Sequence, residues 1–106
     1  MAQEFVKAQI KGDRVVLFLK PSCPYCTLAK DVLSKYNFKP GHLELVDISA
    51  REDMSSIQDY LQEITGARTV PRVFIGETCI GGGSDVAELD RKGQLDGMLR
   101  HIKVLQ

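Results

Sequence analysis

The sequence predicts an α/β protein with a central four-stranded mixed sheet flanked by helices. Short apolar and β-branched runs alternate with segments whose apolar residues recur at helical spacing, in the order βαβ, then α, then ββα. A βαβ unit makes parallel strands and a tight hairpin makes antiparallel ones, so the sheet is expected to be mixed. Several apolar helix stripes need burial, which places helices on both faces of the sheet. With 106 residues, 43% hydrophobic and 26% charged, the chain is expected to form one domain, residues 1–106.

The first strand leads directly into the first long helix. Val15–Leu19 is apolar and rich in β-branched residues and follows a Gly-Asp turn, which predicts a buried strand. From Pro24 onward, apolar positions recur every three or four residues, which predicts a helix that ends near Asn37. Before the strand, Phe5 and Val6 are compatible with an additional short helix.

The next strand and helix complete the βαβ unit and extend it. Residues 43–48 follow a Pro-Gly turn and predict the second strand, which should be parallel to the first. The helix after it is predicted from a stripe of four apolar residues, Met54, Ile57, Leu61 and Ile64. Gly66 is placed to end this helix in the left-handed conformation.

The last part of the chain predicts a hairpin and two helices. Arg72–Ile75 and residues 78–80 flank a Gly-Glu turn, which is typical of antiparallel strands. Ser84 or Asp85 is expected to cap a helix that ends at Gly93. The final helix is predicted from the amphipathic stripe of Leu95, Met98, Leu99 and Ile102.

The charge and cysteine content exclude several classes of function. Fourteen Lys+Arg balance fourteen Asp+Glu, so the chain has no overall field that would attract nucleic acid or an anionic membrane. The N-terminus lacks the apolar core of a signal peptide, and no apolar run is long enough to span a bilayer. Three cysteines are too few for a disulfide-stapled secreted domain, which favours a reducing compartment and a cytoplasmic location.

Cys23 and Cys26 form a Cys-Pro-Tyr-Cys motif directly after the first strand, and three uses of the pair are considered. A zinc site needs four ligands, and the chain adds only Cys79, His42 and His101, without a second pair, so no metal is expected. A structural disulfide would close so small a loop that it would remove little unfolded-state entropy. The third use, reversible redox chemistry, has positive support.

The helix predicted after the motif makes the two thiols unequal. Pro24 suits the first helical turn, which places Cys23 at the N-cap, where unpaired N–H groups and the helix dipole favour a thiolate. Lys20 adds a nearby cation. Cys26, one turn inside the helix, should be more buried and keep a higher pKa. Cys23 is therefore predicted to attack and Cys26 to resolve.

Four segments together resemble glutaredoxin, and the resemblance covers essentially the whole chain. They are the CPYC motif after a strand, Thr69-Val70-Pro71, the hairpin that starts at Arg72, and the segment Gly81-Gly82-Gly83-Ser84-Asp85. The likeness is greatest to the cytosolic dithiol glutaredoxins, or thioltransferases, of vertebrates and their large DNA viruses. It implies a thioredoxin fold with a cis-proline at Pro71.

The resemblance also implies a groove for glutathione. The backbone of Val70 is expected to pair with the cysteinyl residue of glutathione as an added strand would. Lys20 is expected to meet the glycyl carboxylate, Tyr25 to pack beside the tripeptide and Thr69 to shape the groove. Pro71 is expected to turn the Val70 backbone toward the Cys23 sulfur.

The γ-glutamyl end of glutathione is expected at the start of the helix that follows the hairpin. The residues implied there are Gly82, Ser84 and Asp85, with Gly83 between them. The carboxylate would lie on helix N-terminal N–H groups and the ammonium near Asp85, which agrees with the charges of those groups. Arg68 and Arg72 lie on either side of the Thr-Val-Pro segment, and either would add positive potential near the groove if it faced it; both are interpreted as solvated charges.

The activity implied by the resemblance is glutathione-dependent thiol–disulfide exchange. Cys23 would attack the glutathione sulfur of a glutathionylated protein, and a second glutathione would regenerate it; for protein disulfides, Cys26 would attack the mixed disulfide. Glutathione is then a co-substrate and no tightly bound cofactor is expected. Expected partners are glutathionylated proteins, disulfide substrates such as ribonucleotide reductase and, indirectly, glutathione reductase. The protein itself is expected to be a monomer.

Two other functions stay open at this point. Some glutaredoxin-like proteins bind a [2Fe–2S] cluster between two subunits, and colour with visible absorption after anaerobic purification would favour that role. A thioredoxin-type reductase driven by a flavoprotein is the other alternative, and turnover with each reductase would distinguish it. Cys79, in a predicted strand, is interpreted as a small buried hydrophobic residue.

Overall fold

The computed structural model describes all residues, 1–106, and confirms the predicted mixed sheet with helices on both faces. The four strands lie in the order β2-β1-β3-β4; β1 pairs in parallel with β2, and β3 pairs antiparallel with both β1 and β4. The elements in chain order are α1 Ala2–Gln9, β1 Val15–Leu19, α2 Pro24–Ser34, β2 Leu43–Asp47, α3 Met54–Thr65, β3 Arg72–Ile75, β4 Thr78–Gly81, α4 Gly83–Arg91 and α5 Leu95–His101.

Strand β1 is central and divides the core into two clusters. Successive side chains of a strand point to opposite faces, so Val15 and Leu17 enter one cluster while Val16 and Phe18 enter the other. The first cluster is buried under α2, α4 and α5 and comprises Val15, Leu17, Ala29, Val32, Leu33, Val73, Ile75, Val86, Leu95, Leu99 and Val104. The second is buried under α1 and α3 and comprises Val6, Val16, Phe18, Val46, Ile48, Ile57, Leu61 and Phe74.

The end of α3 and the additional N-terminal helix agree with the sequence signals, whereas α2 ends earlier than predicted. Gly66 caps α3 with a φ of 85°, the left-handed conformation that glycine adopts without steric cost. The additional short helix is present as α1, which buries Val6, and the guanidinium of Arg51 lies 3.7 Å from the centroid of the Phe5 ring. Helix α2 ends at Ser34, three residues before the predicted end.

Two sequence expectations are wrong. The N-cap of α4 is Gly82, not Ser84 or Asp85, because the Asp85 carboxylate reaches back to accept a hydrogen bond from the Gly82 N–H at 2.8 Å. Cys79 on β4 is only half-buried, since β4 is an edge strand; it packs against the second cluster without lying inside it. None of the helices is long and apolar enough to cross a membrane.

A polar contact fixes α2 to α4, the helix that carries the Gly-Gly-Gly-Ser-Asp segment. Asp90 accepts hydrogen bonds from the Tyr36 hydroxyl and from the Lys35 ammonium. These bonds lower the pKa of Asp90, the Lys35 bond most, while burial and then the Asp90 contact raise the pKa of Tyr36 to about 12. The contact holds α4 against the helix that begins at the cysteine pair.

Candidate active site

Cys23 lies at the N-terminus of α2, where the sequence predicts it. Its φ of −101° and ψ of 117° are extended, and Pro24 is the first helical residue. The Cys26 N–H donates a hydrogen bond to the Cys23 sulfur over 3.2 Å, so Cys23 caps the helix through its side chain. The thiol is half-exposed and points out of the helix end, a position from which it can meet a second sulfur.

Cys26 has the opposite environment, as predicted. Its side chain is only 3% exposed, and burial raises its pKa to about 11, with a further increase from the hydrogen bond to Cys23. The Lys20 N–H lies 3.5 Å from the Cys26 sulfur and opposes that increase. Near neutral pH, Cys26 is therefore a protonated thiol beside a more accessible one.

Cys26 is expected to react with an alkylating reagent mainly at high pH. In a Cys23→Ser, Cys79→Ser variant it is the only thiol, and burial, the largest cause of its raised pKa, is kept. Its alkylation rate with iodoacetamide, followed by mass spectrometry, should keep rising above pH 9, because burial still raises the pKa of Cys26. The same variant unfolded in urea should level off near the ordinary thiol value of about 8.5. Equal pH profiles for folded and unfolded protein would contradict the prediction.

The segment before β3 brings a backbone carbonyl to the reactive thiol. The Val70–Pro71 peptide bond is cis, as the resemblance implies. The Val70 carbonyl oxygen lies 3.7 Å from the Cys23 sulfur, although the two residues are 47 positions apart in the sequence. An extended chain bound along the Val70 backbone would therefore lie next to the Cys23 sulfur.

A groove with a volume of about 350 Å³ runs from this point to the start of α4. It contains seven of the eight residues predicted to bind glutathione and adds two more, Arg72 and Gly83. The lining residues are Tyr25, Thr69, Val70, Pro71, Arg72, Gly82, Gly83, Ser84 and Asp85.

Lys20 is the predicted residue that the groove does not contain. It lines a separate cavity of about 200 Å³ together with Cys26, Thr27 and Lys30. Lys20 thus lies beside the cysteine pair, on a different wall from Val70.

The groove is closed on one side by a tight contact between α4 and α2. A Cβ placed on Gly83 would lie 2.5 Å from the Tyr25 carbonyl oxygen, far inside contact distance, so this approach depends on glycine. Tyr25 itself is 60% exposed, and its ring forms an outer wall instead of packing in the core.

Two polar residues near the groove were not assigned a role from the sequence. Gln58 of α3 is only 8% exposed, and its side-chain amide donates to the Arg68 carbonyl oxygen at 3.3 Å, which fixes the chain just before Thr69. The sequence signal for a buried polar role of Gln58 is its position next to Ile57, within the apolar stripe of the helix. Arg72 lines the groove, which corrects its interpretation as a solvated charge, whereas Arg68 pairs with Asp59 at 2.9 Å.

No three His, Cys, Asp or Glu side chains are grouped so that they would hold a metal ion. The polar groups that converge are instead a thiol, a backbone carbonyl, a helix N-terminus, a guanidinium and a carboxylate. The family model described as Glutaredoxin matches residues 15–80, from β1 to β4. The chain belongs to the glutaredoxin family.

Curated glutaredoxins match over the full length of the chain. Glutaredoxin-1 of Homo sapiens is 55% identical over 106 residues and covers 100% of both chains. Glutaredoxin-1 of Vaccinia virus (strain Copenhagen) is 44% identical over 106 residues, which are 100% of this chain and 98% of the viral one. Glutaredoxins are thiol–disulfide oxidoreductases, and this chain is one of them.

Solved glutaredoxin structures have the same fold. Oxidized glutaredoxin 2 from Chlamydomonas reinhardtii superposes with a TM-score of 0.90 at 35% identity, covering 98% of this chain and 95% of the other. A buckwheat glutaredoxin–glutathione complex gives a TM-score of 0.90 at 31% identity, covering 100% and 94%. The thioredoxin fold expected from the resemblance is thereby confirmed.

Proposed function

We propose that residues 1–106 act as one glutaredoxin domain that reduces mixed disulfides between glutathione and proteins, with Cys23 as nucleophile and Cys26 as resolving thiol. The observation that carries the proposal is the position of the Cys23 sulfur. It accepts a helix N-terminal N–H at 3.2 Å, is half-exposed, and lies 3.7 Å from the Val70 carbonyl at the end of the groove. From this position the Cys23 sulfur can attack a disulfide bound in the groove.

The reaction consists of two exchanges. The Cys23 thiolate attacks the glutathione sulfur of the substrate; the Cys23–glutathione bond forms, the original S–S bond breaks, and the protein leaves as a thiolate that takes a proton from water. A second glutathione thiolate then attacks the glutathione sulfur bound to Cys23. This step releases the Cys23 thiolate and forms glutathione disulfide. Each protein thiol released therefore consumes one free glutathione, and the other half of the glutathione disulfide comes from the substrate.

The groove supports the assignment of the remaining residues. Val70 offers its backbone to the cysteinyl part of glutathione, next to Cys23, and Pro71 holds that backbone in place. Tyr25 and Thr69 form the walls. Gly82, Ser84 and Asp85 would receive the γ-glutamyl end at the N-terminus of α4, where unpaired N–H groups favour an anion. A similar fold in a glutaredoxin described as a glutathione complex adds support.

Lys20 is assigned to the glycyl carboxylate. The Lys20 ammonium takes part in none of the six salt bridges of the chain, so it is free to pair with a ligand. Its backbone N–H is directed at the Cys26 sulfur, which places the residue beside the cysteine pair. From there the lysine side chain can extend toward a tripeptide that leaves the groove past Cys23.

For protein disulfides, the two-thiol route applies. Cys23 would form a mixed disulfide with the substrate, and Cys26 would attack Cys23 to release the reduced protein. The substrates proposed are glutathionylated proteins and disulfide enzymes such as ribonucleotide reductase, with glutathione reductase acting indirectly by regenerating glutathione. The protein would act as a monomer in the cytoplasm, where glutathione keeps thiols reduced.

A coupled assay tests this function. The substrate is the mixed disulfide of glutathione and 2-mercaptoethanol, and turnover is followed with glutathione plus glutathione reductase or with thioredoxin reductase alone. Turnover should occur only in the first assay. Turnover supported by thioredoxin reductase alone would instead identify a thioredoxin-type enzyme and refute the proposal.

A further inference from the structure

Arg72 is the one charged groove residue to which the proposed function gives no role. It follows Pro71 at the start of β3 and is half-buried. Its Nε donates a hydrogen bond to the Pro71 carbonyl oxygen at 2.9 Å, which fixes the direction of the guanidinium. Its two terminal nitrogens have no acceptor in the chain, and none of the six ion pairs includes Arg72.

The free side of the guanidinium faces the start of α4. A Cβ placed on Gly82 would lie 2.9 Å from Nη2 of Arg72, so the guanidinium lies directly over this glycine and a side chain there would displace it. Gly82 is the N-cap of α4, and the first-turn N–H groups beyond it have no partner within the helix. Asp85, in the same turn, keeps its carboxylate close by through the bond to the Gly82 N–H.

This end of the groove therefore offers both charges needed by an α-amino acid end group. A carboxylate is bound by a guanidinium and by helix N-terminal N–H groups, and an ammonium is bound by a carboxylate such as that of Asp85. The γ-glutamyl residue has a free α-carboxylate next to a free α-ammonium, because its peptide bond is made through its side chain. An ordinary peptide N-terminus has the ammonium alone.

We propose that Arg72 is a further specificity-determining residue of this groove, whose guanidinium binds the α-carboxylate of the γ-glutamyl residue alongside the N–H groups at the start of α4. The inference rests on the proposed function, because it concerns the same groove. It accounts for the unpaired guanidinium, since a half-buried charge that lacks a partner in the free protein gains one from the ligand. The bond from Nε to the Pro71 carbonyl then orients the guanidinium for this contact.

The test compares two substrates that differ only in the carboxylate. One is the mixed disulfide of glutathione and 2-mercaptoethanol; the other is the same compound with the γ-glutamyl α-carboxylate converted to an amide. The rate of adduct formation on Cys23 is measured by rapid quenching and mass spectrometry in a Cys26→Ser background. Arg72→Gln should lower the second-order rate constant for the first substrate about tenfold and leave that for the amide unchanged. Arg72→Lys should give an intermediate loss, because it keeps the charge without the planar fork.

A distant arginine is the matched control. Arg100 on α5 pairs with Asp96 at 2.9 Å, and Arg100→Gln should change neither rate. Equal losses of rate on both substrates in Arg72→Gln would show that Arg72 acts only through the Pro71 carbonyl, and would overturn the inference. An Arg72→Gln variant with no loss of rate on either substrate would also overturn it. Failure of the parent protein to form any glutathione adduct would instead refute the proposed function.

Discussion

Replacing Cys23 with serine is expected to abolish thiol exchange, whereas Cys26→Ser is expected to keep the reduction of glutathione mixed disulfides. A serine hydroxyl at the N-cap is a far weaker nucleophile than a thiolate, so the loss should be about a thousandfold or more on every substrate. Cys26→Ser removes only the buried thiol. The backbone N–H of residue 26 still donates to the Cys23 sulfur in that variant, so the attacking group keeps its environment.

Two substrates separate the roles of the two thiols. Both variants are assayed on the mixed disulfide of glutathione and 2-mercaptoethanol, and on a protein with an intramolecular disulfide at low glutathione concentration. Cys26→Ser should retain the first activity and lose most of the second. Cys79→Ser serves as the matched control, because this half-buried thiol on β4 lies outside the groove and should affect neither. Equal losses for Cys23→Ser and Cys26→Ser on both substrates would contradict the assignment.

The parts of the site that the sequence predicts well are those fixed by local structure. Pro24 is suited to the first turn of a helix, so its position predicts that Cys23 is the N-cap and that Cys26 lies one turn inside the helix. The order of apolar runs likewise predicts the βαβ unit and the hairpin, because period and turn chemistry are local properties. The prediction of a cis bond at Pro71 depends on the family resemblance, because the sequence of an X-Pro bond alone favours the trans form.

The parts that the sequence does not predict depend on contacts between distant segments. Arg72 enters the groove because its Nε is held by the Pro71 carbonyl and because Gly82 leaves room beside it. Gln58 fixes the chain near Arg68 across ten residues. The predicted N-cap of α4, Ser84 or Asp85, is wrong because α4 begins earlier, with Gly82 as its N-cap. The Asp85 carboxylate lies in the first turn and accepts from the Gly82 N–H, and the residue order alone does not distinguish this position from the N-cap.

Phe18→Ala is expected to produce the largest loss of stability among single substitutions considered for the core. Phe18 is 0% exposed on the central strand, and its ring packs edge-to-face on Phe74 with centroids 5.9 Å apart. Removing the ring leaves a cavity between the sheet and helices α1 and α3 and should lower the free energy of unfolding by about 3–5 kcal/mol. That is a large share of the roughly 5–15 kcal/mol that stabilises a typical domain.

Urea denaturation of Phe18→Ala and of a control variant, Leu45→Ala, measures the two losses in the free energy of unfolding. Leu45 lies on the neighbouring strand but is 40% exposed, so its truncation should cost about 1 kcal/mol or less. Equal midpoints for the two variants would contradict the role of Phe18. The chain continues from Phe18 through the end of β1 to Lys20 and the cysteine pair, so Phe18→Ala should also reduce activity. The loss should follow the unfolded fraction, with activity per folded molecule retained, because Phe18 supports the site from the core and lines neither the groove nor the cavity beside Cys26.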